Sequence, residues 1–261
     1  MKKNDNNLLE MKGVELRFDD RIILDQLNLC VKAQDTLVVM GLSGGGKSTL
    51  LRLILGLLKV NAGSIIFKEK EITTLKDSEL NKVRPHIGMV YQNAALISSM
   101  TVGENIALPM RELTHKSDKE IDETVEQKLE LVGLKDIKEK LPSELSGGMA
   151  KRVGLARALA LDPELILFDE PSAGLDPINS TLIDELIVGL REEHKVTSIV
   201  VTHELPSAFA IATQMAMLNE GKIILEGNPE IFRNSEIPLV SEFLGSYSIH
   251  NKTKETNHAN P

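Results

Sequence analysis

Between an apolar run and an almost wholly apolar stretch, the chain reads Gly41-Leu42-Ser43-Gly44-Gly45-Gly46-Lys47-Ser48-Thr49. Glycines in this number let backbone N–H groups converge on an anion, because they reach conformations that a Cβ forbids. A helix that starts at Lys47 adds the partial positive charge of its N-terminus. One fixed cation, Lys47, and one hydroxyl, Ser48, follow at the spacing G-x-x-x-x-G-K-[ST]. That spacing suits a polyphosphate: the lysine reaches the β- and γ-phosphates, and the hydroxyl holds Mg²⁺.

Three other segments end an apolar run in a reactive side chain. In "LILFDEP" the run stops at Asp169 and Glu170. Asp169 suits a Mg²⁺ partner through water, and Glu170 can polarise an attacking water. "SIVVTHE" stops at His203, a neutral donor suited to a γ-phosphate or its water. Gln92 follows "HIGMVY" and can offer an oxygen to Mg²⁺ or orient the water. If these runs are parallel strands, their C-terminal ends share one crevice with the glycine loop.

A second glycine-rich helix start, "LSGGMAKRVGLARALALD", follows about a hundred residues later. Ser146, Gly147 and Gly148 make another anion-binding N-terminus. One nucleotide needs one cradle. Either the chain binds two nucleotides, or two copies meet head to tail and each cradle completes the other's site. "SAGLDP" would then lie beside the interface, with Asp176 as a polar contact.

The elements that must hold these groups are legible from periodicity. "LLEMKGVEL", "ILDQLNLCV" and "DTLVVM" read as strands, and residues 47–58 as a buried helix. "AGSIIFKEKEI" reads as a strand pair with a turn, and "RPHIGMVYQ" as a buried strand. Residues 93–145 carry helical patterns, including "TVGENIALPMREL", "SDKEIDETVEQKLELVGL" and "LKDIKEKL"; they look like an inserted lobe that extends to about 160. Strands and helices then alternate to a closing hairpin, "QMAMLNEGKIILEG". Such alternation implies a mostly parallel sheet covered on both faces. We expect one domain over residues 8–245 and a polar, disordered tail over 246–261. Cys30, in "LNLCV", is expected to be a buried core thiol.

The 261 residues are 42% apolar and 26% charged, with a formal net charge of −8. This acidity argues against nucleic acid as a partner. No run approaches the roughly 18 apolar residues of a membrane-spanning helix, and the first residues lack a signal-peptide core. The chain is therefore expected in the cytosol, with any membrane part supplied by another protein.

In order and spacing, "GLSGGGKS", Gln92, "LSGGM", "LILFDEP", "SAGLDP" and His203 resemble the ATP-binding subunit of ABC transporters over about residues 8–235. The resemblance implies an α/β P-loop NTPase with a mostly parallel core sheet, an N-terminal antiparallel β subdomain and an inserted helical lobe. It implies ATP hydrolysis with Mg²⁺, a homodimer of ATPase subunits and an integral membrane permease. It implies that Ser146, Gly147, Gly148 and Met149 meet the γ-phosphate of ATP held by the other subunit. Phe18 would stack on adenine, where many members have tyrosine; its alternative is a core aromatic.

The finer resemblance is to the ATPase of MCE-type lipid transporters, as in the Mla phospholipid system. It rests on "NAALISSMTVGENIALPMRE" and on Met149, where most ABC ATPases have glutamine. It implies an MCE-domain partner and a place at the cytoplasmic face of the inner membrane. Residues 93–112, with Leu96, Ile97, Met100 and Val102, are expected to dock on the permease. Transport of another solute, or a soluble non-transport role, is the alternative.

Overall fold

The three most apolar runs are strands, and burial on both faces explains why their polar residues are confined to their ends. In the computed structural model, which describes residues 6–42 and 44–245, they form β3 (Thr36–Met40), β7 (Leu165–Asp169) and β8 (Thr197–Val201). Leu37, Val39, Leu165, Leu167, Ile199 and Val201 face one core. Val38, Met40, Ile166, Phe168 and Val200 face another. A strand buried on both sides has no polar face to show.

Two further strands extend this sheet in parallel, β6 (Ile87–Val90) beside β7 and β9 (Gln214–Asn219) beside β3; β10 (Lys222–Gly227) closes the edge antiparallel to β9. The order is β10-β9-β3-β8-β7-β6. A separate antiparallel sheet, ordered β2-β1-β4-β5, is made by β1 (Asn7–Phe18), β2 (Arg21–Lys32), β4 (Ala62–Phe67) and β5 (Lys70–Glu71). It packs with α1 (Lys47–Ile54) and α2 (Asp77–Val83) against one face of the six-stranded sheet. The other face is covered by α3 (Val102–Leu113), α4 (Asp118–Leu131), α5 (Gly147–Ala158), α6 (Pro177–Glu192), α7 (Leu205–Ile211) and α8 (Pro229–Arg233). The α/β architecture with its mostly parallel sheet, antiparallel sheet and helical insertion is the expected one.

Three expectations change. The first helix stops at Ile54, four residues short of its expected end, because Gly56 takes a left-handed φ of 64°. The Leu57 amide donates to Arg52 O and the Gly56 amide to Leu53 O, the paired bonds of a Schellman stop. "LKDIKEKL" is irregular rather than helical. Its Lys138 and Lys140 carbonyls accept the Gly103 and Val102 amides at the start of α3, an arrangement that an α-helix over 134–141 would not offer. Cys30 is exposed. Leu27, Leu29 and Val31 take the inward face of β2, so period-two alternation turns Cys30 out with Asn28 and Lys32. The expected tail, 246–261, lies outside the described residues.

Candidate active site

The glycine loop connects β3 to α1, and two of its glycines are forced by close backbone approach. A Cβ on Gly41 would collide with the Leu218 carbonyl of β9, and Gly46 turns into α1 at φ 95°, where a Cβ would lie 3.2 Å from the Ile23 carbonyl. Packing against two neighbouring strands thus holds the loop tightly curled. Lys47 is 8% exposed and donates to Gly41 O at 2.8 Å and Leu42 O at 3.0 Å. Burial pushes its ammonium below the usual lysine range, while the charges of Glu170 and Asp169 pull it back. Leu42 and Gly44 are exposed, and Gly45 and Thr49 are half-buried. Ser43 lies outside the described residues.

The sheet brings the distant residues to this loop. Ser48 Oγ donates to Asp169 Oδ1 at 2.8 Å, across 121 positions of sequence. A hydroxyl and a carboxylate oxygen side by side are the hard donors that Mg²⁺ takes, with phosphates and waters completing its shell. The residues present therefore fit a magnesium ion. The Glu170 amide extends the ladder to Val201 O, and Glu170 itself holds a left-handed φ of 50°. Strain of this kind costs about 1–3 kcal/mol in a non-glycine residue and gathers at functional sites. Glu170 Oε2 accepts from the His203 amide at 3.3 Å and lies 2.9 Å from His203 Nδ1. His203, expected to face a phosphate, is here hydrogen-bonded to the carboxylate. Gln92 is exposed two residues past β6, which pairs with β7 through Val90 and Phe168. Phe18 is 49% exposed at the end of β1, which removes the core-aromatic alternative.

The second glycine start caps its own helix. Ser146 Oγ accepts the Met149 amide at 3.3 Å, so the first-turn donors left for an anion are the Gly147 and Gly148 amides. Met149 packs on the helical core. Asp176 caps α6, accepting from the Ile178 and Asn179 amides; the Asn179 side chain, helped by the backbone amides, holds its carboxyl below the usual range. Gly148 leaves room for the Asn179 side chain: a Cβ there would lie 2.5 Å from Asn179 Oδ1 and force that side chain to shift. The two glycine segments are therefore built alike only in sequence: one curls around a lysine, the other opens from a capped helix.

Sequence reading missed two cations on α5. Lys151 Nζ donates to Pro171 O at 2.8 Å and Ala173 O at 2.5 Å. Arg157 donates to Ala95 O and Ala94 O, each at 2.7 Å. α5 thus grips both the turn after Glu170 and the segment after Gln92. The signal was present for Lys151: it falls at helical spacing with Gly148 and Leu155, on the buried side.

A family model described as "ABC transporter" matches residues 24–173. The intermembrane phospholipid transport system ATP-binding protein MlaF of Haemophilus influenzae is 44% identical over 238 residues, 91% of this chain and 90% of that protein. A protein of Mycobacterium leprae named for ribonucleotide transport, mkl, is 38% identical over 241 residues, 92% of this chain and 70% of that protein. Among solved structures, a dimeric ATP-binding cassette in a post-hydrolysis state bound to ADP and Pi superposes with a TM-score of 0.78 at 32% identity, covering 84% of this chain and 98% of that one. With the family match over the glycine loop and the "DE" strand end, and with relatives matched nearly end to end, this chain belongs to the ABC transporter family.

Proposed function

We propose that residues 8–245 form the ATP-hydrolysing subunit of a transporter that moves phospholipid through a separate membrane permease. The observation that carries the chemistry is the convergence of Lys47, Ser48–Asp169 and His203–Glu170 at one end of a parallel sheet. Lys47 places fixed positive charge where negative charge develops on the transferred phosphoryl group. Glu170 takes a proton from the attacking water as its oxygen bonds to phosphorus and the bond to the ADP oxygen breaks. The His203 amide and ring orient that carboxylate. Ser48, Asp169 and Gln92 would hold Mg²⁺, which when bound neutralises charge on the phosphate oxygens. Phe18 offers an exposed ring for the base.

Ser146, Gly147 and Gly148 are read as the contact for a nucleotide held by a second copy, with Met149 behind them and Asp176 at the interface. The kinship to MlaF supports phospholipid as cargo, because that relative is both more similar and more fully covered than the one named for ribonucleotide transport. The Met149 signature supports an MCE-domain partner. Among the described residues no helix is long and apolar enough to cross a membrane; we place the subunit on the cytoplasmic face, where ATP is supplied. Reconstitution with its permease in liposomes tests this reading. ATP-dependent transfer of labelled phospholipid, lost in Lys47→Ala, is expected; ATP-dependent movement of ribonucleotide without phospholipid would overturn the cargo.

A further inference from the structure

Among the described residues, two charged side chains are buried: Lys47 and Lys151. Lys47 lies in the phosphate loop. Lys151, also 8% exposed, is one turn into α5 and meets two neutral acceptors, the carbonyls of Pro171 and Ala173. Burial lowers the affinity of its ammonium for the proton, and the more distant charges of Glu204 and Glu170 offset that in part. An apolar side chain of the same length would fill the space without desolvating a charge. Packing alone therefore does not call for lysine here.

The carbonyls it holds belong to the turn that leaves Glu170. The Ala173 amide donates back to Glu170 O at 3.3 Å, so this turn is tied at one end to the carboxylate-bearing residue and at the other to Lys151. Glu170 itself stands in a left-handed conformation, which persists only where its surroundings impose it. We propose that Lys151 is a positioning residue: it fixes the turn after Glu170, and so the direction of that carboxylate. Because Lys151 rides on the helix that begins at Gly147, it also ties the second glycine cradle to the carboxylate of its own chain.

This inference rests on Glu170 as the base that accepts the water's proton, and the experiment separates the two. Hydrolysis at saturating Mg-ATP and equilibrium binding of a fluorescent ATP analogue are measured on the full chain for K151M, K151R, E170Q and K151M/E170Q. K151M is expected to lower kcat by about 10–100-fold with analogue affinity within about threefold, the pattern of a loss felt only in the transition state. K151R is expected to restore most of the rate, since a guanidinium can donate to both carbonyls. In the E170Q background K151M is expected to change the residual rate by less than about twofold, because a residue that acts through Glu170 has nothing left to aim. An equal loss in both backgrounds, or K151M turnover near wild type with E170Q inactive, overturns the positioning role. E170Q turnover near wild type overturns the base assignment instead. If K151M does not fold by circular dichroism, K151Q, which keeps a donor but loses charge and reach, carries the same comparisons.

Discussion

Two oxygen atoms 121 positions apart, Ser48 Oγ and Asp169 Oδ1, meet at 2.8 Å, and that contact sets what each neighbouring residue can do. Lys47 beside it supplies charge that water cannot screen well, because the side chain is buried. Lys47→Ala should lower hydrolysis by at least about 10²-fold, the usual worth of a preorganised charge at a developing anion. Phosphate release under saturating Mg-ATP checks this; turnover near wild type with ATP still bound would remove Lys47 from the site. Glu170→Gln keeps the shape but not the basicity, and should slow hydrolysis by about 10²–10⁴-fold, the range of a positioned general base. The sequence suggests His203 as a donor to the phosphate or its water, and here its ring lies 2.9 Å from Glu170 Oε2. If that contact aims the carboxylate, its loss should act in part through the orientation of Glu170.

Elements deliver these residues, and their ends carry most of the surprises. Asn105, wholly buried in α3, accepts the Ile97 amide at 2.8 Å and donates to the carbonyls of Ile97, Met100 and Thr101. It therefore shapes the loop just past Gln92. Asn105→Ala would remove the partner of several part-buried backbone groups and should cost about 1–3 kcal/mol, the range for a group left unsatisfied. Urea unfolding measures the loss. The four apolar residues read as one docking patch are split by this loop: Val102 is buried in the core, Leu96 and Met100 are half-buried, and Ile97 is 37% exposed. If the loop docks on a permease, Ile97 is its most accessible apolar contact.

Asp184 of α6 gives an element-scale pH test. Burial raises its carboxyl to about 6, against hydrogen bonding from Ser207, with Glu204 adding to the rise; its Oδ1 has no partner among the described residues. A raised carboxyl pKa favours the folded state once it is protonated. Through this group stability rises as pH falls from above 6 towards the unfolded value near 4, and is lost again as pH climbs through 6. Asp184→Asn should melt higher than wild type at pH 7.5, and the gap should shrink by pH 5. A gap that widens on acidification would contradict the assigned environment.

At the scale of the whole molecule, the helix that follows the phosphate loop and the helix that Ser146 caps pack on opposite faces of the six-stranded sheet. If a second copy completes the site, Glu170→Gln should accumulate as an Mg-ATP-dependent dimer, because a ligand bound by both chains stabilises their association. Adding Ser146→Arg should abolish that dimer while the first loop still binds ATP. Were Ser146 only the cap of α5, its replacement would cost about 1 kcal/mol and leave association unchanged. Sedimentation of both variants, with and without Mg-ATP, separates the outcomes.

The sequence alone determined the groups that can do chemistry, since glycine spacing, the Lys47–Ser48 pair and apolar runs that end in Asp169, Glu170 or His203 are local patterns written by local physics. It indicated the parallel sheet as well, because strands buried on both faces are apolar over most of their length. Tertiary structure decided the rest. Cys30 faces outward because β2, paired with β1 at the sheet edge, turns Leu27, Leu29 and Val31 into the core and the alternate positions out. Residues 134–141 stay irregular because α3 needs their carbonyls. His203 rests on Glu170, and Lys151 on the turn beyond it, because sheet order placed β8 next to β7 and packing laid α5 against the turn that follows. Such contacts join residues far apart in the chain, and no local periodicity encodes them.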